Sequence, residues 1–232
     1  MRRLLYVPII HDEADMGSAG ATLARQSAAM AGGERWEMHT VVVRSFWESI
    51  ASYLSSLDAS LVKVYQAGMA ADGETGRRVM EEAADRGSIN YQLIRDMVRR
   101  GAELRNTEDP ALLLQEHEGI RTALQQNSAT QDQQTAESGQ LQRDRLLEQR
   151  DAFIAANISA TLREGELGVL FLGASHNVVS RLARDIRVQA IKDPELVMAY
   201  FAELLAGHDD RRLEEFAHGL AAPVFPNLNG RL

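Results

Sequence analysis

Two histidines in this chain stand just beyond short apolar runs. "LLYVPIIHDEAD", residues 4–15, leads into His11, Asp12, Glu13 and Asp15, and "LGVLFLGASH", residues 167–176, leads into Ser175 and His176. Imidazole and carboxylate groups placed this way are what a protein without cysteine needs to hold Mn, Fe, Co or Zn. An ion so held lowers the pKa of its bound water towards about 7 and supplies hydroxide for hydrolysis. His11, Glu13, Asp15 and His176 are therefore the candidate metal ligands, with Glu108 or Glu13 as candidate general base. Without an ion, His11 and His176 could act as acid and base in a transferase or esterase-like reaction.

Arg150 joins His11, His176 and Glu108 as a candidate catalytic residue. It opens the apolar helical stripe of "RDAFIAANI". From there its stem can cover the core edge, or its head can reach a carboxylate or ligand.

Other motifs carry less chemistry. "GSAGAT" at 17–22 matches neither the dinucleotide fingerprint nor the phosphate loop. "QEHEG" at 115–119 lacks the second histidine of a zinc helix, because position 121 is Arg, and it reads as a surface face. Ser175 has no glycine two residues on, so the serine-hydrolase elbow is absent. His39, His208 and His218 have no clustered partners and read as structural or solvated.

The composition narrows the classes further. A chain of 232 residues, 45% apolar and 25% charged, is an ordinary globular sequence. Its net charge of −8 disfavours nucleic-acid binding and docking on anionic membranes. No cysteine means no disulfide, thiolate nucleophile or Cys-type zinc site. The apolar runs fall far short of the roughly 20 residues that span a bilayer. "MRRLLYVPII" runs straight into acidic residues with no small-residue cleavage site, so a cytoplasmic protein is expected rather than a secreted one.

The elements that must position these residues alternate. Strands are predicted at 4–10, 61–68, 102–109, 167–173 and 186–191, with helices between them. Glycines at 87 and 101 close two of the helices, and Asp109–Pro110 opens another. A short helix is expected from Asn177, and a last one over about 210–221. This is an α/β pattern: one domain over 1–232 with a mainly parallel sheet of about five strands flanked by helices. Residues 70–165 form a helical middle insertion or cap, containing a polar segment at 125–142 that reads as an exposed helix or a loop. In such sheets ligands bind beyond the carboxyl ends of the strands, where His11, Gln66, Thr107, Glu108, Asp109 and His176 all fall.

The C-terminal stretch "EQRDAFIAANISATLREGELGVLFLGASH" resembles the TraB/TIKI-like proteins, grouped with ChaN-like haem-binding lipoproteins and erythromycin esterases. The resemblance runs through Gly173 and His176 as a Gly-x-x-His motif and through Arg150 in the preceding helix. "VPIIHDEAD" partly echoes an early His-bearing motif through His11, with Pro8 where that motif has glycine. Gln66 stands where the family has an acidic residue. The resemblance implies a site between the first and last strand motifs and, in TIKI-like members, metal-dependent peptidase activity. A metal-dependent hydrolase of a small molecule or peptide is the leading expectation. The competing one is a non-catalytic ligand-binding or homo-oligomeric assembly protein on the same fold.

Overall fold

The computed structural model of the chain describes residues 1–11, 20–125, 133–207 and 209–224. Glu13 and Asp15 lie outside the described residues, as does 126–132 of the polar segment. Five strands build one sheet: β1 (Arg2–Ile9), β2 (Val62–Gln66), β3 (Glu103–Arg105), β4 (Leu167–Gly173) and β5 (Ile186–Ala190). Their order is β3-β2-β4-β1-β5, and every pairing is parallel. The α/β class expected from the alternation is the one observed. Among the described residues, no helix is long and apolar enough to cross a membrane.

The three inner strands are buried on both faces because helices cover both. On the first face lie α2 (Gly33–Ser55), α3 (Gly73–Asp85), α4 (Ile89–Arg99), α7 (Pro194–Ala206) and α8 (Asp210–Ala221). Phe46, Ile50, Met80, Ile94 and Tyr200 pack there against Leu5, Val7, Val64 and Phe171. α1 (Gly20–Ala31) leans on α2 and α7. The second face is covered by the C-terminal half of α6 (Gln133–Thr161), with Ile154, Ile158 and Leu162 set against Leu4, Leu170 and Leu172. α5 (Pro110–Gln125) packs on α6. Residues 70–165, expected as an insertion or cap, thus hold α3 and α4 on one face, edge strand β3, and α5 and α6 on the other.

Local chemistry explains the element ends. Asp109 caps α5 by accepting from the Ala111 and Leu112 N–H groups at 2.7 and 3.2 Å, and Pro110 starts that helix with its φ preset. Asp193 caps α7 in the same way, ahead of Pro194. Pro8 is tolerated inside a central strand because of where β5 stops. Tyr6 accepts from Ile191 N–H on the β5 side, β5 pairing ends at Ala190, and Pro8 faces the same way two residues on. The helix expected from Asn177 is a single 3-10 turn, Val179–Arg181. Its chain must cross back over β1 to reach β5, and Val178, Leu182 and Ala183 are spent on covering the second face.

Neighbouring β2 and β4 leave the sheet in opposite directions. β2 proceeds through α3 and α4 on the first face to β3, whereas β4 proceeds over the second face to β5. Diverging connections of this kind open a crevice at the carboxyl ends of the two strands.

Gly168 sets how closely α6 lies on this sheet. A Cβ there would sit 2.5 Å from Leu4 Cδ1 and 3.2 Å from Leu162 Cδ2, both on fully packed side chains. Gly168→Val is expected to destabilise the fold by about 2 kcal/mol through overpacking. Urea unfolding checks it, and a loss below about 0.5 kcal/mol contradicts this packing.

Candidate functional site

β4 is buried until Gly173, where the chain turns and His176 N–H donates back to the Gly173 carbonyl at 3.2 Å. The Tyr6 hydroxyl donates to the same carbonyl, also at 3.2 Å. Burial, with the Asp151 carboxylate nearby, pushes the Tyr6 hydroxyl up to about 12, so it remains a donor across the neutral range. The turn is thereby held from two sides, and the His176 imidazole projects from a fixed backbone.

α6 supplies the partners. Asp151 lies on the stripe that continues as Ala155, Ile158 and Leu162, so its carboxylate faces the core and must be satisfied there. One oxygen lies 2.5 Å from His176 Nδ1, and the other accepts from Asn177 N–H at 2.7 Å. The His176 side chain is only 8% exposed, and its Nε2 has no hydrogen-bond partner among the described residues. Arg150 points some 100° away around the helix, which carries it to the end of β3 instead. Its Nε and Nη2 donate to Glu108 Oε2 and Oε1 at 3.0 and 2.5 Å, and its Nη1 donates to Glu116 of α5. Burial works to lower the Arg150 pKa, but its bonds to Glu108 outweigh that and hold it above its ordinary value.

Glu108 is fully buried, and Gly68 N–H adds a 3.3 Å bond to Oε1. Thr107 and Glu108 N–H both donate to the Met69 carbonyl, at 2.8 and 3.0 Å, tying the loops after β3 and β2 together. Gln66 is structural. Its N–H donates to Thr107 Oγ1 and its Oε1 accepts from Asn90 Nδ2, each at 3.0 Å.

The structure therefore makes two pairs from α6, Arg150 with Glu108 beyond the end of β3 and Asp151 with His176 beyond the end of β4. His11 stands elsewhere. It is exposed at the end of β1 and lines a cavity of about 550 Å³ bounded by α1, α2 and α7. Among the described residues there is no group of three or more His, Asp or Glu that could hold a metal. His39 is buried on the first face, its Nδ1 3.0 Å from the Tyr200 hydroxyl oxygen, and burial lowers its pKa to about 4. Two site residues were not assigned a role from the sequence. Asp151 stands out beside Arg150 as a carboxylate heading an apolar helical stripe, but nothing in the spacing ties it to His176. Glu116 carried no signal, lying in "QEHEG" whose His117 and Glu118 are indeed exposed. Comparison of the chain with protein-family models, with curated proteins and with solved structures found no match.

Arg150→Met leaves the Glu108 carboxylate buried without its counter-ion and is expected to cost about 3–5 kcal/mol. Chemical denaturation measures it, and a cost under about 1 kcal/mol would mean that the pair is solvated. His39 makes stability depend on pH. Its folded pKa lies below the unfolded value of 6.5, so between pH 6.5 and 4 the unfolded chain binds a proton that the folded chain refuses. Stability contributed by neutral His39 is complete above pH 6.5 and is lost as pH falls towards 4, by up to about 3 kcal/mol. Denaturation at pH 7 and 4.5 should show a smaller pH-dependent loss in His39→Gln than in the parent protein.

Proposed function

We propose that the protein is a hydrolase of small molecules or peptides in which His176 takes a proton from water while Asp151 holds the imidazole. The observation that carries this reading is the 2.5 Å contact of His176 Nδ1 with Asp151, with Nε2 unpartnered among the described residues. A carboxylate on Nδ1 selects the tautomer with its lone pair on Nε2 and compensates the imidazolium that forms when Nε2 accepts a proton. The pair stands beyond the carboxyl end of β4, the edge at which ligands of open parallel sheets bind. Glu108 has both oxygens engaged by Arg150, so the base role falls to His176, and Arg150 and Glu108 act as positioning residues. The TraB/TIKI-like resemblance supports the reading through Arg150, Gly173 and His176.

A divalent ion suits the same geometry, because a metal-bound histidine usually hands its other ring nitrogen to a carboxylate. Mn, Fe, Co or Zn on His176 Nε2 would supply a bound hydroxide, and His11, which lines the cavity between α1, α2 and α7, stands apart from that ion. A second reading, a homo-oligomeric assembly protein, is favoured by the α5–α6 pair, which exposes Leu114, Ile120 and Leu141. Light scattering on the purified chain tests it.

The catalytic reading is tested with p-nitrophenyl esters and chromogenic peptides, before and after dialysis against a chelator. Asp151→Asn and His176→Gln are each expected to lower kcat/KM by about 100-fold or more, with circular dichroism confirming the fold. Loss on chelation that is restored by one of the four metals assigns the ion, and indifference to chelator assigns the metal-free dyad. Turnover that survives both substitutions, or none across the panel, overturns the proposal.

A further inference from the structure

The cavity beside His11 has the form of a ligand site in its own right. Its volume of about 550 Å³ falls within the 300–1,000 Å³ range typical of small-molecule pockets. One stripe of α2 lines it, with Trp36, His39, Thr40, Val43 and Arg44 spaced at three and four residues. The other walls include Ile9 of β1 and Phe201, Leu204 and Leu205 of α7.

The lining is polarised along its length. Trp47 Nε1 donates to the Ile10 carbonyl at 3.1 Å, which pins α2 to the end of β1. Arg44 lies one helical turn before that pin, and His11 follows Ile10, so both belong to the end of the cavity at the sheet edge. Trp36 and the α7 residues form the apolar remainder. Thr40 spends its hydroxyl proton on the Trp36 carbonyl at 3.1 Å, and His39 Nδ1 is taken by Tyr200. Arg44 is exposed and makes no ion pair with any described residue, in a chain with 33 acidic and 25 basic side chains. A cation with no ion-pair partner among the described residues, at one end of an apolar chamber, complements an anion carried on an apolar body.

We infer that the cavity between α1, α2 and α7 binds a small apolar monocarboxylate, its ring or acyl body between Trp36 and α7 and its carboxylate on Arg44. This goes beyond the proposed hydrolase and does not depend on it. The test is calorimetric titration of the full chain with 2-naphthoate and octanoate, each against its uncharged amide. At least one acid should bind saturably and about tenfold or more tighter than its amide. Arg44→Met, which keeps the apolar stem at an exposed position, should erase that preference, and Ser27→Phe, which fills the chamber from α1, should abolish binding. Asp151→Asn should leave the affinity unchanged, so loss of a hydrolase activity and loss of this site are read separately. Saturation by only one acid fixes the body as ring or chain. No saturation by either acid, equal affinity for acid and amide, or a preference that survives Arg44→Met overturns the proposal.

Discussion

The ion pair between Arg150 and Glu108 fixes where α6 lies across the second face, and the geometry at the carboxyl edge follows from that placement. Apolar packing alone would not fix it. Ile154, Ile158 and Leu162 are similar in size and recur along one stripe, so a small slide or rotation of the helix would still bury them. A guanidinium fork on a carboxylate tolerates neither, because two N–H groups must meet two oxygens in one plane. Two charges taken out of water seldom add net stability over apolar replacements, so their contribution here is positional. Asp151 is the next residue, and a shift of one position would turn it about 100° away from His176. Glu116 on the third nitrogen of the same guanidinium ties α5 to that placement as well.

The strands and most helix ends were legible because their causes are local. β4 is apolar on both faces over seven residues and stops at a glycine, so its bounds at Leu167–Gly173 could be read directly. Gly87 and Gly101 close α3 and α4 at φ values of 102° and 110°, a conformation that side chains other than glycine resist. The N-terminal half of α6 was not legible. Through "QQTAESGQLQRD" no apolar stripe separates helix from loop, since Leu141 is its one large apolar residue. The dyad was illegible for a different reason. Asp151 and His176 are 25 residues apart, and their meeting depends on helix rotation and on β4 lying between β2 and β1, neither of which leaves a mark in spacing.

The loops beyond β2 and β3 form a polar plate beside this site. Gln66, Asn90 and Thr107 are all buried and bonded to one another or to neighbouring backbone, which fixes the end of β2 against the start of α4. Asn90 Oδ1 alone lacks a partner. Turning that amide over would put its oxygen against Gln66 Oε1, and turning Gln66 to match would set its own oxygen against the Ala67 carbonyl. The observed orientation is thus the one with the fewest opposed acceptors. Such a plate is rigid because each polar group has few alternatives, and it backs the Glu108 carboxylate through Gly68 N–H.

His11 and His176 stand on adjacent strands, yet their surroundings differ in kind. Ile9 pairs with Gly173, so the two chains leave the sheet side by side. One then follows walls made by α2 and α7, and the other turns onto a carboxylate of α6. What separates them is Gly173. In register with Ile9, whose side chain lines the cavity, it presents no side chain, and a Cβ there would lie 3.5 Å from His176 Cδ2. That is ordinary contact distance, so alanine would fit, while any larger group would be wedged against the ring. The glycine in "LFLGASH" therefore does more than end a strand. It leaves room for the imidazole edge beside the end of β4.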